Sequence, residues 1–264
     1  MRSKRPWSAL WITLAVAFSA PAARSAEALH PWVVPPPQLA KEAYFSNLTE
    51  GAQIETPFVL KFGLTGVGLA AISGQAAGTG HHHLLVNREL PLDFTKPLPF
   101  NDQYIHFGKG QMETVLTFPP GAYTLRLVLA DHNHIPNFIY SKPLHITVTK
   151  KNDAVDPKSL IVRGVAILLP KDASTQKPPF RIEFHASGYN VSSSAVPDAG
   201  SGHFRLRLTP DGGREETIPF DNGYTEVWLN PPAGHYTARV DLMDNGAPGK
   251  VLATSMPVGF GVQR

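Results

Sequence analysis

An all-β chain built as two copies of one sandwich is the architecture this sequence predicts, and three observations predict it. Short runs rich in Val, Ile, Leu and Phe recur along the 264 residues, separated by turns that draw on 25 prolines and 22 glycines, the punctuation of strands. No long stretch keeps a helical period without a Pro or Gly breaking it. The chain also repeats itself. Residues 56–62 (TPFVLKF) recur as 178–184 (PPFRIEF), 122 positions on, and at that offset Gly66 meets Gly188 and Gly80-His81 meets Gly202-His203. Residues 98–102 then match 218–222, and 119–124 match 231–237. An offset held across dissimilar side chains marks a duplicated unit.

The segments follow in order. Residues 1–26 carry Arg2, Lys4 and Arg5, a short apolar core and small residues up to Ala26, the pattern of a Sec-type signal peptide. The apolar run is shorter than the ~20 residues of a membrane span, so the mature chain is expected to be periplasmic or secreted, with no membrane span. Removing the signal leaves 20 Lys+Arg against 21 Asp+Glu, and with no basic-aromatic stripe nucleic acid is excluded as a partner. No cysteine is present, which rules out a disulfide framework. Residues 27–42, with Pro31, Pro35, Pro36 and Pro37, read as an extended arm. Residues 43–149 form the first domain, 150–159 a polar linker, and 160–264 a degenerate second copy.

Each copy carries a Pro-Pro turn followed by Gly and Tyr and then a strand, around Tyr123 and Tyr236. That arrangement resembles the tyrosine corner of immunoglobulin-like sandwiches. The fold expected is therefore two tandem immunoglobulin-like β-sandwich domains, with a jelly roll or other small barrel as the alternative. In the second copy residues 203–208 (HFRLRL) alternate cleanly, so Phe204, Leu206 and Leu208 face the core. The same parity turns His82, Leu84 and Val86 inward and His81, His83 and Leu85 outward.

Six of the eleven histidines lie between positions 81 and 134. His81 and His83 sit on one strand face, roughly 6–7 Å apart, near enough to share an ion. His132 and His134 form a second i, i+2 pair in the loop after the Tyr123 strand, and His106 lies in what reads as a glycine-rich loop. Neutral imidazole is the commonest side-chain metal ligand, so His81, His83, His106, His132 and His134 are the candidate ligands of a surface metal site. Asp131 and His82 are assigned supporting roles, Asp131 as an acceptor fixing an imidazole tautomer and His82 as a core histidine. In the second copy His82, His83, His132 and His134 become Phe204, Arg205, Asn245 and Ala247. The 18 residues between Phe100 and Pro119 shrink to 10 between Phe220 and Pro231, which reads as deletion of the His106 segment. Concerted loss is what a single site predicts.

Three motifs, Gly80-His81-His82-His83-Leu84-Leu85, His106-Phe107-Gly108-x-Gly110-Gln111-x-Glu113-Thr114 and Asp131-His132-Asn133-His134-Ile135-Pro136, together resemble an exported bacterial family called domain of unknown function 4399. The resemblance covers about residues 44–148. It implies a small secreted β-domain with a histidine signature and brings no activity with it.

With no thiolate, the ligand set suits Cu(II) first and Zn(II) second. The function expected is a periplasmic metal-binding module. Its competitors are a non-metal binding or adhesion module for a periplasmic protein or cell-envelope polymer and, behind both, a metal-dependent hydrolase. No phosphate loop or nucleophile elbow is present, so a non-enzymatic role is favoured.

Overall fold

The computed structural model describes residues 30–38, 41–90 and 92–264; the signal peptide expected over residues 1–26 lies outside them. The first half contains β1 (Val33–Val34), β2 (Glu42–Phe45), β3 (Ala52–Thr56), β4 (Phe58–Thr65), β5 (Gly68–Leu69), β6 (Thr79–Val86), β7 (Tyr104–His106), β8 (Glu113–Leu116), β9 (Gly121–Ala130), β10 (Pro136–Tyr140) and β11 (Leu144–Lys151). A 3-10 turn at Pro157–Leu160 leads into β12 (Gly164–Leu169), β13 (Ser174–Gln176), β14 (Phe180–Ser187), β15 (Asn190–Val191), β16 (Ser201–Pro210), β17 (Glu216–Pro219), β18 (Glu226–Leu229), β19 (Gly234–Asp244), β20 (Val251–Thr254) and β21 (Val258–Val262).

Two sheets face each other in each half. A three-stranded sheet β2-β4-β8 opposes β3-β11-β9-β6-β5, which also carries β7 on β6 and β10 on β9. The second half repeats the order: β18-β14-β12 opposes β13-β21-β19-β16-β15, with β17 on β16 and β20 on β19. These are two immunoglobulin-like sandwiches. Both tyrosine corners form, Tyr123 donating its hydroxyl to Pro119 O at 2.9 Å and Tyr236 to Pro232 O at 2.8 Å.

Strand faces follow the alternation. Phe204, Leu206 and Leu208 are buried in the core, as are Leu84 and Val86 of β6. On β9, Leu125, Leu127 and Leu129 enter that core while Val128 and Ala130 join Leu85, Leu98 and Tyr104 in a second apolar cluster on the opposite face. The imperfect alternation of β9 thus has a physical cause: both of its faces are covered.

The cover comes from the loop after β6, through Leu92 and Leu98, and the loop corrects the repeat alignment. Phe107 N–H donates to His82 O at 3.0 Å, and Phe220 N–H donates to Phe204 O at 2.9 Å. Phe220 therefore corresponds to Phe107, not to Phe100. In register, His83 faces His106 across β6 and β7, as Arg205 faces Pro219 across β16 and β17. The His106 segment is not deleted in the second half; it is a strand rather than a loop, and His106 is replaced by Pro219. What the second half lacks is nine residues of this loop, 87–103 in the first half against 209–216 in the second.

The arm docks on the second sandwich. β1 pairs antiparallel with β18, Val33 opposite Leu229 and Val34 opposite Trp228, so ordered structure starts ahead of Tyr44. Between the halves, Leu69 N–H donates to Gly223 O and Val191 N–H donates to Gly110 O, each at 2.8 Å. These two bonds are related by the repeat. Gly110 and Gly223 have φ of +82° and +76°, and a Cβ on either would strike a backbone oxygen across the seam, Val191 O or Leu69 O.

Candidate metal centre

β6 carries His81, His82 and His83 between β9 on one side and β7 on the other. Strand pleating separates them. His82 points into the sandwich core, its ring edge-on to Phe62 at 4.8 Å between centroids, so it lies on the opposite face from its neighbours and outside the centre. His81 and His83 point to the other face and are 1% and 0% exposed, which corrects the expectation of a surface site.

Three more elements bring rings to them. Register places His106 of β7 directly opposite His83, the closest cross-strand relation a sheet offers. Gly108 then makes room, since a Cβ there would overlap the His106 ring. The loop after β9 is shaped by Asp131, whose Oδ1 accepts from Asn133 N–H at 2.8 Å and Ile135 N–H at 2.9 Å. This turn holds His134 at φ +66° and aims its ring inward. Leu98 N–H donates to His134 O at 2.9 Å, tying the loop 87–103 to the same turn, and Phe100 caps the group.

The four imidazoles are mutually packed. His81 Nε2 lies 2.9 Å from His83 Nε2, and ligand atoms of His81, His83 and His106 all lie within 4.8 Å of one another. The His134 ring centroid is 5.1 Å from that of His81, 6.0 Å from His83 and 4.9 Å from His106. Phe100 stands edge-on to His106 at 5.0 Å and to His134 at 4.9 Å. Burial, with the like charge of the neighbouring rings adding to it, lowers His81 to a pKa of about 2 and His83 to about 3. His106 is lowered for the same reasons, and His82 falls to about 3 from burial alone. Every ring with a resolved shift is held neutral, with lone pairs available.

Two of the predicted residues take other places. His132 is not among the packed rings; it lines a cleft of about 650 Å³ beside them, with Asp131, His81 and Phe138. The Asp131 carboxylate is bonded to backbone N–H groups and shapes the turn instead of orienting an imidazole. Sequence reading missed Phe100 and Gly108, although the His-Phe-Gly run was in view; only the ring positions reveal why glycine follows.

The second half shows the same register with one ring of the set, His203 in the place of His81. His203 bonds Asn245 Oδ1 at 2.7 Å and Asp221 Oδ1 at 3.1 Å. Asp241 binds Arg205 at 2.6 Å and Arg207 at 2.9 Å. Fixed ion pairs there take the space that the imidazoles fill in the first half.

Fold and site together define an immunoglobulin-like sandwich protein with a buried histidine cluster. Within it, residues 60–149 match the family model described as Domain of unknown function (DUF4399), and all four packed histidines fall inside that span. No curated protein matches. Similar solved structures include the fibronectin(III)-like modules of Clostridium thermocellum CbhA (14% identity, TM-score 0.27, covering 83% of this chain and 92% of that one). Another is the chicken CNTN1 FN1-FN3 domains (10%, TM-score 0.24, 83% and 64%). A two-domain fibronectin type-III segment of chicken tenascin is a third (13%, TM-score 0.23, 84% and 98%). Among the described residues no helix is long and apolar enough to cross a membrane.

Proposed function

We propose that the first sandwich is a metal-binding module that holds one divalent ion through His81, His83, His106 and His134. The single observation that carries this reading is the unsatisfied state of the cluster. His106 Nε2, His134 Nε2 and His83 Nδ1 are buried without a hydrogen-bond partner, and a buried polar group left unpaired costs about 1–3 kcal/mol. A hydrogen-bond network accounts only for the His81–His83 contact. An ion among the rings takes the orphaned lone pairs of His106 and His134 at once.

Ligand chemistry supports Cu(II) or Zn(II), because the set is all nitrogen with no thiolate. Two ligands bonded at about 2.0–2.1 Å and at right angles lie about 2.9 Å apart, the separation of His81 Nε2 and His83 Nε2. That favours a tetragonal ion and ranks Cu(II) first. Catalytic zinc sites use three protein ligands and keep the fourth position for water, so a set of four imidazoles favours binding over hydrolysis. With a signal peptide expected over residues 1–26, the ion would be bound after export, in the periplasm or beyond.

The test is titration of the metal-free protein with Cu(II) and Zn(II), followed by calorimetry, beside a His81→Ala/His83→Ala variant. Stoichiometric binding of one ion, weakened at least a hundredfold in the variant, is expected. Absence of binding, or equal binding by both proteins, overturns the proposal.

A further inference from the structure

The repeat gives this molecule two equivalent grooves and, among the described residues, one arm to fill them. In the second sandwich the arm runs along the open edge of β18. Trp32 O accepts from Asn230 N–H at 2.8 Å, Val34 pairs with Trp228, the Trp32 ring meets Tyr236 edge-on at 5.9 Å, and His30 Nε2 lies 3.3 Å from Glu216. Each contact has a matched position in the first sandwich. Register equates Val115 with Trp228, since Val59 faces Val115 as Arg181 faces Trp228. Asn230 then corresponds to Thr117, Tyr236 to Tyr123, and Glu216 to Gln103.

Those matched residues line a groove of about 750 Å³ between the edges of β7 and β8. Phe62 N–H donates to Met112 O, so by the antiparallel alternation Val115 N–H points away from β4 into the groove. Thr117 is exposed, and among the described residues no acceptor reaches its N–H. An edge of unpaired backbone beside apolar walls is a template for another strand.

We infer that this groove is a strand-addition site for an extended segment of a partner protein, with the chemistry of the arm: an aromatic residue, then β-branched residues, bounded by prolines. Backbone bonds to Val115 and Thr117 supply affinity, and the aromatic floor of Phe118 stacked on Tyr123, at 4.8 Å, supplies selectivity. Gln103 in place of Glu216 removes the need for a cation where the arm carries His30. A partner rather than a second copy is the occupant because the chain's own arm is already bound on β18. The groove meets the histidine cluster at Phe100 and His106, but its backbone contacts at Val115 and Thr117 need no bound metal.

The experiment measures binding of a fluorescent peptide with the sequence of residues 30–37 to the protein by anisotropy. Hydrogen exchange of the β8 amides is followed in the same samples. Saturable binding is expected, with slowed exchange at Val115 and Thr117 and affinity about tenfold lower in Thr117→Pro. That variant removes one exposed N–H outside the strands, and an unchanged melting temperature verifies its fold. No saturable binding, full affinity in Thr117→Pro, or protection at β18 through displacement of the arm overturns the inference. Concentration-dependent dimers abolished by Trp32→Ala assign the groove to a second copy and equally overturn it.

Discussion

His81 and His83, as the proposed ligands, would meet two requirements at once, since a ligand must keep its lone pair and a buried ring must stay neutral. Burial meets both, and its consequence is measurable. Folded pKa values near 2 and 3 lie below the unfolded value of about 6.5, so between these limits the unfolded chain binds protons that the folded chain does not. The sign follows: stability is full above about pH 6.5 and is lost as pH falls, by up to about 1.4 kcal/mol per pH unit for each such ring. The metal-loaded protein holds His81 and His83 neutral as well, so these two rings should lower both melting temperatures together from pH 7 to pH 5 and leave the gap between them unchanged. An exposed imidazole site would instead lose about thirtyfold in affinity per ligand over that range. Calorimetric melts at the two pH values decide it; a gap that collapses at pH 5 rejects a dry centre. Gly108 gives a second prediction at this scale. Gly108→Ala drives a Cβ into the His106 ring, and the ring must rotate away. Metal affinity should drop at least tenfold by calorimetry, while the apo melting temperature moves by only a few degrees.

At the scale of elements, the loop 87–103 turns an ordinary sheet face into an enclosed site. Leu98 joins the cluster on Leu85 and Val128, Phe100 caps the rings, and the His134 turn is tied to Leu98. Replacing 87–103 by 209–216 should expose Val128 and Leu85, at about 1.5–3 kcal/mol for each large side chain uncovered, and should weaken metal binding at least tenfold. Urea unfolding and metal titration of the graft test this; unchanged affinity means that the loop is no part of the centre. This element also separates what was legible in the sequence from what was not. Strand alternation on β16 and the two tyrosine corners give the fold, and i, i+2 spacing places His81 and His83 on one face, because local periodicity carries that information. His106 could not be placed locally. Its place beside His81 comes from cross-strand register with His83, and matching Phe220 to Phe100 instead of Phe107 is an error of seven residues. His132 and His134 looked equivalent by spacing, but only the turn held by Asp131 determines which ring faces inward.

Across the whole molecule the repeat closes on itself. Glu113 accepts from His185 at 2.9 Å, from Ser187 Oγ at 2.7 Å and from Gly188 N–H at 3.0 Å, all in the other half. At the matched position Glu226 accepts from Tyr44 at 2.9 Å. Burial by itself would raise the Glu113 pKa, but the bonds from His185, Ser187 and Gly188 outweigh it and leave the carboxyl below its usual value. A carboxylate lowered on folding stabilises above its unfolded pKa, near 4.5, and that contribution is lost as pH falls through the folded value. Glu113→Gln should therefore cost about 1–3 kcal/mol at pH 7 and flatten stability against pH below 4.5 in urea titrations. Apolar residues of both sandwiches belong to one continuous buried cluster, so the halves should unfold together in a single transition. Gly223→Ala tests that coupling, because its Cβ meets Leu69 O from a positive-φ position and separates the seam while sparing both sandwich cores. Its unfolding should resolve into two steps, with metal raising only the midpoint of the first sandwich. If the variant still unfolds in one step at the wild-type midpoint, the seam is not what joins the two halves energetically.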